Sequence, residues 1–138
     1  MNARRLATAV ALAAGATVPA FAAPDALRGE QIYVRCMACH ALASDRVGPR
    51  HCGLFGRRAG SIPGYPYSDA MKNSRIVWND KTLDRFLANP PATVPGTTMT
   101  YAGITDPAER ADLIAYLRHA NETPACAGRG EASRSATR

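Results

Sequence analysis

Five consecutive residues, Cys36-Met37-Ala38-Cys39-His40, hold the densest chemistry in this 138-residue chain. Two thiols about one helical turn apart can each form a thioether with a vinyl group of one haem. The imidazole that follows would then lie beneath the iron, so the pattern reads as a c-type haem attachment site. Haem iron commonly takes His on one side, and a Met opposite it raises the reduction potential. A lone C-x-x-C also suits a redox dithiol or half of a zinc site. Both alternatives are weak here, because there is no second C-x-x-C and no βαβ pattern around this one.

Helical elements must hold these groups. Asp25 is placed to cap a helix running through Leu27, Ile32, Tyr33 and Cys36. Gly29 sits four residues before Tyr33, and a helical Gly is destabilising unless another element packs close against it. Residues 59–68 are dense in Gly and Pro and read as irregular chain that needs something to wrap. Ser68 caps a short turn through Met71 and Asn73. A helix over residues 80–88 follows, with Leu83, Phe86 and Leu87 on one face, and Asn89-Pro90-Pro91 stops it. Residues 91–103 read as loop. Asp106-Pro107-Ala108-Glu109 opens a last helix, lined by Leu113, Tyr116, Leu117 and Ala120. The polar stretch 121–138 is expected to be disordered apart from the neighbourhood of Cys126.

The N-terminus carries a different signal. A short basic region ends at Arg5, residues 6–21 are small and apolar, and Ala20-Phe21-Ala22 gives an A-x-A cleavage pattern. Residues 1–22 therefore read as a secretory signal peptide, residues 23–121 as the functional domain and 122–138 as a flexible tail. The apolar run is short and rich in Ala, which disfavours a membrane anchor, and no stable membrane insertion is expected. The net charge of +6 falls to +4 without Arg4 and Arg5. Only Lys72 and Lys81 are lysines, so no basic stripe suggests nucleic-acid binding. Export implies an oxidising compartment, here the periplasm. Cys52 and Cys126 lie outside the attachment motif and form a candidate pair there; the alternative is a small buried Cys52 and a free thiol in the tail.

Taken together, Cys36-x-x-Cys39-His40, Gly48-Pro49, Gly53-Leu54-Phe55-Gly56-Arg57, Trp78, Pro95-Gly96-Thr97-x-Met99 and Asp112-Leu113-Ile114-Ala115-Tyr116-Leu117 make residues 26–120 resemble a class I cytochrome c of the mitochondrial-like, cytochrome c2 kind. The resemblance implies an all-α fold in which the N- and C-terminal helices cross near Gly29 and Tyr116, with loops wrapping one covalent haem c. It implies Met99 as the sixth ligand, with Met71 the main competitor and a place in the core the ordinary fate of a Met. It implies that the Pro49 carbonyl accepts the Nδ1–H of His40. By the same resemblance Arg57, Tyr67 and Trp78 hold the haem propionates. Phe86 and Met71 stand where relatives carry Tyr and Asn, which implies a drier distal pocket. In that fold the loop after Gly48-Pro49 passes near the end of the last helix, which is compatible with a bond from Cys52 to Cys126. Pro91, Ala92, Thr98 and Asp106 replace lysines that often ring the haem edge, leaving Arg35 and Arg46, so docking should be less electrostatic.

The function expected is that of a monomeric periplasmic electron carrier working between redox proteins. A dedicated electron-accepting subunit of a periplasmic dehydrogenase shares the chemistry and differs in partner. A haem peroxidase or ligand sensor would need an open sixth position, which Met99 disfavours. His51 and His119 read as surface residues that offer no acid–base pair.

Overall fold

A computed structural model describes residues 22–127, and the expected leader, apart from Ala22, lies outside those residues together with positions 128–138. Six helices follow in order: α1 (Ala26–Tyr33), α2 (Asp69–Asn73), α3 (Asp80–Ala88), α4 (Pro90–Thr93), α5 (Pro107–Glu122) and α6 (Pro124–Ala127). No strand forms among the described residues; a single antiparallel bridge joins Arg58 and Val77.

Local side-chain chemistry accounts for the helix starts. Asp25 accepts from the backbone N–H groups of Leu27 and Arg28. Ser68 accepts from Met71 N–H, and Asn79 and Thr82 form a reciprocal capping box at α3. Asp106 accepts from Ala108 N–H, with Pro107 in the first turn of α5, where a missing N–H leaves no helical bond unmade. Two elements depart from the expected pattern. Asn89 stops α3 but its side chain also accepts from Ala92 N–H, so the Pro pair opens α4 where a loop was expected. α5 runs to Glu122 and α6 follows, so the stretch around Cys126, the one part of the tail not expected to be disordered, is helical. The reason is tertiary: Cys126 is buried, and its sulfur is bonded to that of Cys52, with Cα atoms 5.1 Å apart.

α1 and α5 make the most extensive helix contact, and α3 packs on α5. Their inner faces supply Ile32, Tyr33, Leu83, Phe86, Leu113 and Leu117 to one continuous core, which α2 and the loops complete with Met71, Trp78, Val94 and Ile104. At the α1–α5 crossing lies Asp112, 2 % exposed. Its carboxylate accepts from Asp25 N–H at 2.7 Å and from Arg28 Nε and a terminal nitrogen at 2.9 and 2.6 Å. The bond from the Asp25 backbone, then Arg28, holds the Asp112 carboxyl below its ordinary range against the opposing effect of desolvation. A carboxyl whose folded pKa is depressed stabilises the fold above its unfolded value of about 3.9, and that contribution disappears as pH falls through the lower folded value. Asp112→Asn should therefore lower the melting temperature by several degrees near neutral pH, and the gap to wild type should close in acid. A gap that stays constant down to pH 3 would show that shape, not charge, makes the contribution.

The disulfide closes a loop with a sequence separation of 74 residues. Chain entropy alone would give roughly 4 kcal/mol, but a covalently attached haem already restricts the unfolded chain, so a Cys52→Ala/Cys126→Ala variant should lose about 1–2 kcal/mol. Intact mass after alkylation of the unfolded, unreduced protein provides the direct check. Modification at these two thiols would contradict the bond.

Candidate functional site

The attachment motif sits where α1 winds tighter and ends. The sequence suggests helix through Cys36, but the α-helix stops at Tyr33. Beyond it Arg35 N–H reaches Ile32 O, Cys36 N–H reaches Tyr33 O and Met37 N–H reaches Val34 O, all three-residue steps. Such bonds close a helix end by narrowing its last turns. Cys39 N–H and His40 N–H then both point to Cys36 O, at 3.1 and 2.9 Å, which makes the motif one compact turn. Cys36 is half-buried and Cys39 exposed, and neither is in a disulfide.

His40 is held by the segment that follows. Gly48 N–H donates to Cys39 O at 2.8 Å, and His51 and Cys52 bond back to Ala41 and Leu42, so residues 48–52 run alongside the motif. The Pro49 carbonyl lies 2.8 Å from His40 Nδ1. A carbonyl can only accept, so the proton is on Nδ1 and the lone pair on Nε2, the tautomer that a metal needs. Burial lowers the His40 pKa, with the Pro49 bond opposing, and favours the neutral ring. A Cβ added at Gly48 would fall 2.2 Å from His40 Cε1 and 2.5 Å from Nε2. The imidazole thus rests against bare backbone, and any other residue at 48 would displace it.

Arg57, Tyr67 and Trp78 come together on a different wall. Gly56 N–H donates to Trp78 O and Trp78 N–H to Arg57 O, at 2.8 and 3.0 Å. Tyr67 is half-buried; burial raises its pKa while nearby Arg57 lowers it. The two terminal nitrogens of Arg57 donate to Cys52 O at 3.0 Å and Arg50 O at 2.9 Å. Its Nε is buried with no protein acceptor. A buried N–H without an acceptor is costly, so this one asks for a carboxylate from outside the chain. Trp78 packs on Phe86, ring centroids 5.1 Å apart. Phe86 and Met71 are both buried, and Met99 is partly buried against the same core, its N–H bonded to Thr97 Oγ1 at 3.2 Å.

Two cysteines outside any disulfide beside a neutral imidazole, a thioether on the core and an orphaned guanidinium N–H are a donor set that fits a covalently held haem with carboxylate side chains. The cytochrome c family profile matches residues 26–121, most of the chain. The chain belongs to the cytochrome c family. It is 48% identical over 101 residues to the cytochrome c2 of Rhodomicrobium vannielii, covering 71% of this chain and 81% of that protein. It is 42% identical over 121 residues to the cytochrome c2 of Blastochloris viridis, covering 86% and 94%. The solved structure of cytochrome cH from Methylobacterium extorquens superposes with a TM-score of 0.67 at 43% identity, covering 69% of this chain and 98% of that one. This cytochrome is accordingly a class I, all-α protein that binds haem c covalently through cysteine, and a single-haem electron carrier, not an enzyme.

His51, expected on the surface, is instead half-buried in this cytochrome against His40. The two rings stack with centroids 4.4 Å apart and an angle of 20°. Burial, followed by the neighbouring His40 and Arg57, pushes the His51 pKa well below the ordinary imidazole value, so its ring is neutral. One lone His among loop residues carries no periodicity, and nothing in the sequence signalled that its ring turns inward onto His40.

Proposed function

We propose that this cytochrome is exported to the periplasm with residues 1–22 removed and carries single electrons between redox proteins as a monomer. Cys36 and Cys39 would hold its one haem c, and His40 and Met99 would supply the protein donors to its iron. The observation that supports this reading is the His40 Nδ1–Pro49 O bond, which leaves the Nε2 lone pair available to a metal. Haem supplies an iron that alternates between Fe(II) and Fe(III). The chain's own groups set the conditions for that alternation. His40 stays neutral and fixed. Met99, partly buried against the core, would offer the iron a soft, uncharged donor, which favours the ferrous state. Arg57 Nε, with Tyr67 and Trp78 nearby, supplies positive charge and donors for the propionates. Apolar Phe86 and Met71 leave few polar groups to hydrate in the distal wall.

Partner docking should depend little on charge. Of the two arginines expected near the attachment motif, Arg35 is paired with Glu109 through two bonds at 2.8 and 3.1 Å. Arg46 donates to Met37 O beside exposed Met37 and Val47. The test is the second-order rate of reduction and oxidation by periplasmic and membrane fractions of the source organism, measured against ionic strength. Rates should fall by no more than about threefold between low and physiological salt, against the roughly 10–10³ that strong steering provides. A steep fall would restore electrostatic docking, and no electron exchange with either fraction would remove the carrier assignment to that compartment.

A further inference from the structure

Pro49 restrains His40 at one atom. The hydrogen bond at Nδ1 defines the direction of the ring and the bare Gly48 backbone bounds it on one side, but with no packing partner on its other side the plane could still rock about the bond. A second contact, on the face of the ring, would remove that freedom, and His51 provides it. The His51 ring lies over His40 at 4.4 Å and nearly parallel. His51 is itself held at several points. Its Nδ1 is 3.0 Å from the hydroxyl of Tyr33, which is 3 % exposed. Its carbonyl accepts from Asn121 Nδ2 at 3.1 Å, and the same Asn121 receives Gly53 N–H at 2.7 Å. The disulfide anchors the next residue, Cys52, to α6. Apolar bulk alone would fill this place without a buried polar atom to satisfy. Instead the chain places an imidazole there and supplies Tyr33 to satisfy it.

We propose that His51 is a positioning residue for the proximal ligand: its ring, locked by Tyr33 and stacked on His40, fixes the plane of the His40 imidazole. This rests on His40 being an axial ligand. With the Met thioether held constant, the orientation of that plane would shift which iron d orbital carries the unpaired electron of the low-spin ferric state. The spread of the ferric haem-methyl proton resonances reports it, whatever the protein's stability or electron-transfer rate.

The experiment is proton NMR of the oxidised holoprotein in wild type and in Tyr33→Phe, His51→Leu and His51→Phe variants, with histidine isotopically labelled. Wild type should show strongly displaced His40 ring resonances; their absence would overturn the ligation and this proposal together, before any variant is compared. His51→Leu should redistribute the haem-methyl resonances. His51→Phe, which keeps a flat ring over His40, should return them toward the wild-type pattern. Tyr33→Phe, which removes one oxygen and frees the His51 ring, should move them in the direction of His51→Leu and less far. A His51→Leu pattern that superimposes on wild type overturns the proposal with the ligation intact, as does a His51→Phe pattern no closer to wild type than that of His51→Leu. If His51→Leu fails to take up haem, Tyr33→Phe decides, and an unchanged pattern there overturns it.

Discussion

Met99→Ala should abolish the far-red absorption band of the oxidised protein and convert binding of cyanide by the ferric form, and of carbon monoxide by the ferrous form, from negligible to rapid and complete. The band arises from charge transfer between a Met thioether and ferric iron, so it reports the ligand directly. Met99 is the only methionine in the loop between α4 and α5, and the loop fixes its backbone: Thr97 N–H bonds to Val94 O at 3.0 Å, and Thr97 Oγ1 accepts from Met99 N–H. Its side chain lies partly buried against the core. Alanine offers the iron no donor, so the sixth position opens to exogenous ligands. The reduction potential should fall as well, because the soft neutral donor that favours Fe(II) is lost. Met71 is the control. It is buried on α2 within the core cluster, and Met71→Leu conserves volume, so that variant should keep the band and lose less than about 1.5 kcal/mol of stability. A band that survives in Met99→Ala and disappears in Met71→Leu would exchange the two roles.

The parts of this protein that were legible in the sequence are those whose causes are local. Cys36, Cys39 and His40 are neighbours in sequence because one turn must present all three, and the helix starts at Asp25, Ser68 and Asp106 follow from side chains reaching N–H groups two or three residues ahead. Where a local signal had two outcomes, the reading was incomplete. Asn89-Pro90-Pro91 ends one helix and begins another, since Pro both cannot continue α3 and suits the first turn of α4. Polar contacts set by distant partners left no trace. Asp112 looks like any helical carboxylate until Arg28 and the Asp25 backbone are brought to it from across the molecule. Asn121 reads as the start of a polar tail, yet it bridges His51 and Gly53. Orphaned Arg57 Nε is visible only once the fold has withdrawn its water.

Gly29→Ala should be the most destabilising single substitution in α1, with a net loss of about 2–4 kcal/mol. Helix propensity argues for the opposite sign, since Ala in place of a mid-helix Gly gains about 1 kcal/mol. Geometry decides against it. A Cβ at position 29 would lie 2.0 Å from the Asp112 carbonyl oxygen, 2.6 Å from its carbon and 2.7 Å from the Tyr116 Cβ. None of these atoms can turn aside, because two belong to the α5 backbone and the third is fixed by it. The helices must therefore separate, and at this crossing that loosens the packing of Ile32 and Tyr33 on Leu113 and Leu117 together with the Arg28–Asp112–Asp25 network. Overpacking a tight core typically costs 1–3 kcal/mol, and a backbone obstacle belongs at or above the upper end of that range. Denaturant unfolding of the holoprotein, followed by haem absorption and by circular dichroism, measures the effect. The midpoint should fall with little change in slope, while exposed Gln31→Ala on the same helix should stay within about 0.5 kcal/mol of wild type. A Gly29→Ala protein as stable as wild type would mean that the two helices can part at that point without loss, and that their close approach is incidental to the fold.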